Sequence, residues 1–202
     1  MWFTFSSLNQ SLYIIHDQRE ILMASLTHFL VGAAAGQHLA GKPTMRPMVW
    51  MSMLSFCPDF DVIAFTFGIP YSSPWGHRGF THSISFAILM GVLIWLLRTL
   101  ISTQNSKPKY GSLYWGLIAM LVTLSHPILD AFTNGGMGVA LWWPFSEERI
   151  FFYPQWIPVS PLGTNILSTR GAYVIAFEAV ICLPLWIYLL MPWVRRKSSS
   201  NP

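Results

Sequence analysis

Histidine and aspartate side chains recur in this largely apolar sequence at spacings that suit a metal ion. His126 and Asp130 are four residues apart, so on a helix they share one face and can bind one ion or support each other. Asp59 and Asp61 stand two residues apart just after Pro58. Imidazole with carboxylate suits zinc, manganese or non-haem iron, and the two cysteines have no CxxC spacing that would indicate a closed structural zinc site. A bound metal would lower the pKa of a water molecule and supply hydroxide near neutral pH.

Composition indicates that lipid surrounds much of the chain. Apolar residues make up 53% of the 202 residues and charged residues only 10%, whereas soluble domains average roughly 45–50% and about 25%. The 10 Trp, 7 Tyr and 14 Phe are side chains that settle at membrane–water interfaces. The basic residues are scattered, with no stripe that could follow nucleic-acid phosphates, so no nucleic-acid partner is expected.

Five segments are apolar enough to cross a bilayer, which takes roughly 20 residues, and they predict an all-α bundle of about five spanning helices. These segments are 24–41, 46–68, 83–101, 111–132 and 171–194. Gly32 and Gly36 in the first segment form a small-xxx-small pattern, which is typical of closely packed helices. The connection at 133–170 is broken by prolines and rich in aromatic residues, so we expect an interfacial belt or a lid over a site.

The ionisable residues in and beside these segments fall toward one end of the predicted helices. They are His28, Asp59, Asp61, His77, Arg78, His82, His126, Asp130 and Glu178. With a rise of 1.5 Å per residue, Glu178 and His126 lie roughly 10 Å and 9 Å below their helix ends, so their depths match. A charged side chain at the centre of a membrane helix costs roughly 2.5–3.5 kcal/mol. Their convergence therefore predicts one shared site.

Lysine and arginine residues predict which side of the membrane this site faces. If Arg195-Arg196-Lys197 is cytoplasmic, five crossings place the basic loop at 98–110 on the same side and the polar helix ends on the other. We expect an N-terminal extension at 1–22, to which no function is assigned, and a membrane-embedded domain at 23–194. A basic cytoplasmic tail at 195–202 follows.

Four short motifs resemble the YdjM-type family of bacterial and archaeal inner-membrane proteins. They are Thr27-His28, Pro58-Asp59-Phe60-Asp61, Gly76-His77-Arg78-Gly79-Phe80-Thr81-His82-Ser83 and His126-Pro127-Ile128-Leu129-Asp130. The resemblance covers essentially 23–194 and implies a multi-pass protein of the inner (plasma) membrane that acts as a metal-dependent hydrolase. A fainter likeness links the His126–Asp130 pair to zinc-dependent phospholipases C. The chain lacks their later His-x3-Glu pair and is far more apolar.

We therefore interpret the chain as a membrane-bound hydrolase whose metal-activated water attacks an ester or phosphoester of a lipid-like or membrane-proximal substrate. The hypothesised ligands of a divalent metal, with zinc favoured over manganese and iron, are His28, Asp59, His82, His126 and Asp130. Asp61 or Glu178 would act as general base and His77 as acid or further ligand. Arg78 would act as an anion clamp, since its fork of donors suits phosphate or carboxylate.

Two other classes of function fit the same residues. Intramembrane His and Asp also mark proton or metal pathways, but a pathway needs polar residues at successive depths, and the inner halves of these helices have almost none. A non-catalytic membrane scaffold would tolerate loss of His126 and Asp130. Single residues also have structural alternatives, because Asp59 could cap a helix and Glu178 could pair with a nearby arginine.

Overall fold

The computed structural model describes residues 26–101, 110–159 and 168–199, so the extension expected at 1–22 lies outside the described residues. The described residues form helices and no strand, with two isolated β-bridges. In chain order the elements are α1 (Leu26–Ala40), α2 (Met45–Phe56), a long 3₁₀ helix (Cys57–Phe67), a short 3₁₀ helix (Phe80–His82), α3 (Ile84–Ile101), α4 (Ser112–Ala131), α5 (Thr169–Ile181) and α6 (Leu183–Ser199). The predicted all-α class is confirmed, while the expected division into domain and tail stays a prediction.

Among the described residues, three helical stretches are long and apolar enough to cross a membrane, namely Met45–Phe67, Ile84–Ile101 and Ser112–Ala131. A fourth crossing results if α5 and α6, which meet at a bend of 65°, act as one broken span. These stretches confirm the expected multi-pass bundle of about five helices, of which three or four qualify as full crossings among the described residues. In the described part of the chain, helix α1 spans 15 residues, and Gly41 in the left-handed region (φ 67) ends it.

The membrane-crossing stretch Met45–Phe67 runs through Pro58 without a break. Helix α2 passes directly into the long 3₁₀ helix, and Pro58 in its first turn has no N–H to donate to a carbonyl oxygen of α2. In the sequence, Pro58-Asp59-Phe60-Asp61 interrupts the apolar run at this point. The continuous path instead carries Asp59 and Asp61 on a regular helical segment, one turn and two turns after Ser55.

Glycines bring the helices of two neighbouring pairs into close contact. In α1, a Cβ atom built on Gly32 would lie 2.4 Å from Ser52 Cα of α2, and one on Gly36 would lie 2.3 Å from a backbone oxygen of α2. In α3 and α4, a Cβ on Gly116 would lie 2.7 Å from the Gly91 carbonyl oxygen. No side chain fits at these distances, so the small-xxx-small pattern in α1 sets the α1–α2 approach, as its spacing predicts.

A side chain of α1 donates a hydrogen bond to a backbone carbonyl oxygen of α6. Pro192 lies inside α6 and has no N–H group to donate to the carbonyl of Tyr188, four residues earlier. Gln37 Nε2 donates to that carbonyl oxygen at 3.0 Å. This buried amide therefore joins the first and last described helices at a point where α6 alone would leave an acceptor without a partner.

Candidate metal centre

Two histidines and two aspartates from three elements converge on one buried point. Asp59 lies on the long 3₁₀ helix, His82 ends the short 3₁₀ helix, and His126 and Asp130 share one face of α4. One ligand atom from each of the four residues lies within 4.8 Å of all the others. All four side chains are buried, and both imidazoles are fully so.

The environment of His126 fixes which of its nitrogens faces this point. Its Nδ1 donates to the carbonyl oxygen of Ser55 at 2.8 Å, so Nδ1 carries the hydrogen. Its Nε2 lies 3.2 Å from Asp59 Oδ1. Since a neutral imidazole with Nδ1–H has only a lone pair at Nε2, a proton or a metal ion must lie between this nitrogen and the carboxylate.

His82 is held in the same way, by a carboxylate instead of a carbonyl group. Its Nδ1 lies 3.1 Å from Asp61 Oδ2, and its Nε2 lies 3.5 Å from both Asp59 Oδ1 and Asp130 Oδ2. Among the described residues, no hydrogen-bond partner faces this buried Nε2. A histidine that donates from one nitrogen to a carboxylate and presents the other to a cation is the usual arrangement of a metal ligand.

The distances between the four groups suit a small divalent ion. His–Asp distances across the centre run from 3.2 Å for His126–Asp59 to 3.8 Å for His126–Asp130. A tetrahedral zinc ion with bonds of about 2.0–2.1 Å has neighbouring ligand atoms about 3.3 Å apart. The four His–Asp distances therefore differ from the tetrahedral spacing by at most about half an ångström.

Arg78 forms a buried salt bridge with the Asp130 carboxylate. Its fully buried guanidinium places Nε 3.0 Å from Asp130 Oδ2, while Nη1 donates to the carbonyl oxygen of Gly135 at 3.0 Å. Burial lowers the pKa of Arg78, but Asp130, Tyr71, Asp59 and Asp61 together outweigh this effect and raise the pKa above its usual value. Arg78 also adopts φ 61, which is unfavourable for a residue with a Cβ and is typical of functional sites.

Asp61 and His77 lie behind His82 and away from the point where the four ligand atoms meet. Asp61 accepts from His77 Nδ1 at 2.7 Å, the backbone N–H of Arg78 at 3.1 Å and Thr81 Oγ1 at 2.5 Å, besides its contact with His82. Asp61, His77 and His82 also lie close enough to hold an ion by themselves. Because four donors already surround the Asp61 carboxylate, we interpret this trio as support for His82.

His28 and Glu178 complete the cleft that leads to the centre. The His28 ring stacks on His126 with centroids 3.8 Å apart, and its Nε2 lies 3.6 Å from Asp130 Oδ1. Glu178 Oε2 accepts from the backbone N–H of Thr27 at 3.1 Å, at the start of α1. The residues that line the cleft are Thr27, His28, Asp59, Arg78, Leu129, Asp130, Thr133, Ile157, Pro158 and Glu178.

No role in the site was predicted from the sequence for one arginine of the connection. Arg149, from the long aromatic connection, donates from its guanidinium to the carbonyl oxygens of Tyr71 at 2.8 Å, Ser73 at 3.1 Å and His77 at 2.9 Å. Burial lowers the pKa of Arg149 from its ordinary value. The carbonyl oxygens that it binds are backbone atoms, as is the Ser55 oxygen that orients His126, and such acceptors leave no trace in residue types or spacing.

The fold and the centre define an all-α membrane protein with a buried His/Asp cluster that could hold a metal ion. The profile of the YdjM inner membrane protein family matches residues 23–198, and the chain belongs to this family. It is 34% identical over 175 residues to the inner membrane protein YbcI of Escherichia coli (strain K12), covering 85% of this chain and 98% of that protein. No solved structure matches the chain.

Proposed function

We propose that this protein is a membrane-bound metal-dependent hydrolase. The observation that carries the proposal is the buried meeting point of His82 Nε2, His126 Nε2 and one oxygen each of Asp59 and Asp130, all within 4.8 Å. A divalent metal bound there, with zinc favoured and manganese or iron as alternatives, would supply hydroxide near neutral pH for attack on an ester or phosphoester. Histidine and carboxylate ligands without a thiolate are the donor set of catalytic zinc sites.

In this proposal the residues behind the centre hold the ligands in place. The Asp61 carboxylate and the Ser55 carbonyl orient His82 and His126, so that both imidazoles present Nε2. Arg78 keeps the Asp130 carboxylate charged and fixed. His77, which contacts Asp61 on the side away from the centre, fixes Asp61 in turn. Mutation of such outer partners typically lowers metal affinity or activity by about 10–100-fold.

We assign one group on the cleft to the proton of the attacking water and another to the substrate. Glu178 lines the cleft beside His28 and is 3% exposed, and we assign it as the general base that accepts the proton of the attacking water. Arg78 Nη2 is buried and, among the described residues, faces no hydrogen-bond partner. We assign this nitrogen to an anionic oxygen of the substrate, which a guanidinium binds with defined geometry.

The surroundings of the cleft favour a lipid-like or membrane-proximal substrate. Besides its charged groups, the cleft is lined by the apolar side chains of Leu129, Ile157 and Pro158. Trp75 and Trp143, which contact each other beside the Gly76–His82 loop, lie next to further exposed aromatic side chains of the connection. Aromatic side chains of this kind settle at the headgroup level of a bilayer. We place this end on the non-cytoplasmic side and the C-terminus in the cytoplasm.

The proposal is tested with detergent-purified protein loaded with zinc. We expect bound zinc and zinc-dependent cleavage of phospholipids in mixed micelles or of a chromogenic phosphodiester, both lost in His126→Ala and Asp130→Ala. His38→Ala is the matched control, because His38 is exposed and contacts Tyr114 instead of the centre. Wild-type protein without bound metal would overturn the proposal, as would metal-loaded protein that cleaves no ester or phosphoester.

Sidedness needs a separate test. Single cysteines at Lys107 and at Ser146, in a background with Cys57→Ser and Cys182→Ser, should differ in their reaction with an impermeant maleimide added to intact cells. We expect labelling at position 146 and protection at position 107, because the aromatic connection belongs to the end that carries the cleft. The opposite pattern would place the centre on the cytoplasmic side.

A further inference from the structure

The stacked pair of His28 and His126 limits how many ligands can serve one ion. Their rings lie 3.8 Å apart with an angle of 19° between the planes. A metal ion lies in the plane of the imidazole that binds it, at about 2.0–2.1 Å from the nitrogen. An ion in the plane of one ring of a stacked pair is therefore well outside bonding distance of the other, so His28 and His126 cannot bind the same ion.

The Asp130 carboxylate faces both rings with different oxygens. Its Oδ2 lies 3.5 Å from His82 Nε2 and 3.8 Å from His126 Nε2, whereas its Oδ1 lies 3.6 Å from His28 Nε2. Consistent with this division, the set of ligand atoms within 4.8 Å of one another contains His82 and His126 but not His28. One carboxylate thus separates the three histidines into a pair and a single ring.

We propose that the centre binds two divalent metal ions bridged by Asp130. The first ion lies among Asp59, His82, His126 and Asp130 Oδ2, and the second lies between Asp130 Oδ1 and His28 Nε2, on the side of the cleft. The separation of the stacked rings, 3.8 Å, agrees with the distance of about 3.5–4 Å between the ions of two-metal sites. This inference rests on the proposed function, because it divides the ligands of the same centre.

The two positions differ in their protein ligands and in their access to the cleft. His82 and His126 are fully buried and do not line the cleft, whereas His28, Asp130 and Glu178 do. The second position has two of the proposed protein ligands and the first has four, so water or an oxygen of the substrate completes the second. We therefore expect the second ion to bind more weakly and to leave first when a chelator is added.

Metal stoichiometry tests this proposal independently of activity. Full-length protein in detergent is loaded with zinc, desalted and analysed for metal per polypeptide, and a manganese-loaded sample is examined by electron paramagnetic resonance for coupling between two ions. We expect two ions in the wild type and one in His28→Ala. His28→Phe preserves a ring over His126 without a metal-binding nitrogen, so it separates loss of the ligand from collapse of the stack. His38→Ala, on the same helix, should retain two ions.

Each outcome decides one of the two proposals. One ion in the wild type would overturn the two-ion centre and leave the hydrolase proposal standing, whereas no ion would overturn both. Two ions in both His28→Ala and His28→Phe would show that His28 is not a ligand, which contradicts the inference. Stepwise removal by a chelator would support the inference if one of the two ions is lost while the amount of folded protein on size exclusion stays the same.

Discussion

The His126 imidazole lies between two atoms of a single helical segment, the Ser55 carbonyl oxygen at 2.8 Å and Asp59 Oδ1 at 3.2 Å. Ser55 and Asp59 are one turn apart, and Asp59 is 67 residues from His126 along the chain. The segment before and after Pro58 therefore fixes both nitrogens of one histidine on α4. A shift of either helix by a fraction of a turn would break both contacts, so the packing of the membrane-crossing stretches determines the geometry of the centre.

The support that Asp61 gives to His82 leads to a first prediction. Asp61→Asn removes the carboxylate charge near His82 Nδ1, and we expect a loss of metal affinity of about 10–100-fold. The measurement is zinc competition with a chromophoric chelator in detergent. Glu147→Gln is the control, because Glu147 is exposed on the connection and its neutralisation should leave zinc affinity unchanged. Equal affinities in wild type and Asp61→Asn would contradict the assigned role.

A second prediction separates the two contributions of Glu178. Glu178→Gln keeps an oxygen that can accept the Thr27 N–H but cannot take up a proton, so metal content and folding should be preserved while kcat falls by about 10²–10⁴-fold. Glu178→Ala also removes the acceptor, and we expect a lower unfolding temperature in addition. Unchanged kcat in metal-loaded Glu178→Gln would exclude Glu178 as the general base.

The close approach of α1 and α2 gives a third prediction, about stability. Gly32→Ala would place a Cβ 2.4 Å from Ser52 Cα, and we expect about 1–3 kcal/mol of destabilisation because the helices must separate. Thermal unfolding in detergent measures the effect. Gly111→Ala is a matched control, since a Cβ at Gly111 would meet nothing within 4 Å. Similar unfolding temperatures for the two variants would show that this contact is not tightly packed.

Arg149 supplies a fourth prediction. Arg149→Ala removes three hydrogen bonds to the Tyr71–His77 loop, and hydrogen bonds from charged groups contribute about 1.5–3 kcal/mol each. We expect faster proteolysis of this loop and weaker zinc binding, since His77 ends the loop and His82 lies five residues further on. Arg170→Ala serves as the control, because Arg170 is exposed at the start of α5. Identical proteolysis patterns for both variants would contradict the proposed role of Arg149.

The sequence was most informative where polar residues interrupt apolar helices. Each His or Asp in such a helix is costly, so its position along the helix axis indicates the level at which polar groups must meet. His28, Asp59, Asp130 and Glu178 do line one cleft. Their metal-binding and catalytic roles stay predictions. That argument uses only depth along the axis and the family motifs, and it needs no detail of the loops.

Other features depend on backbone atoms and on helix ends, which residue types specify weakly. The long 3₁₀ helix continues past Pro58, although a proline followed by two aspartates suggests a break. The bend of 65° between α5 and α6 divides a segment that the sequence presents as one apolar run. No role in the site was predicted for Arg149, because its three carbonyl partners are 72 to 78 residues earlier in the chain.

The three carbonyl contacts of Arg149 also bear on the order of assembly during synthesis. Of the nine residues proposed as ligands or catalytic groups, all except Glu178 precede Arg149 in the chain. The loop that presents His77 and Arg78 nevertheless lacks its hydrogen bonds to Arg149 until residue 149 has emerged from the ribosome. A nascent chain arrested shortly after Asp130 would contain every proposed ligand of the metal, but not the guanidinium that joins the carbonyl oxygens of Tyr71, Ser73 and His77. We therefore expect this loop to reach its final conformation only after the aromatic connection has been synthesised.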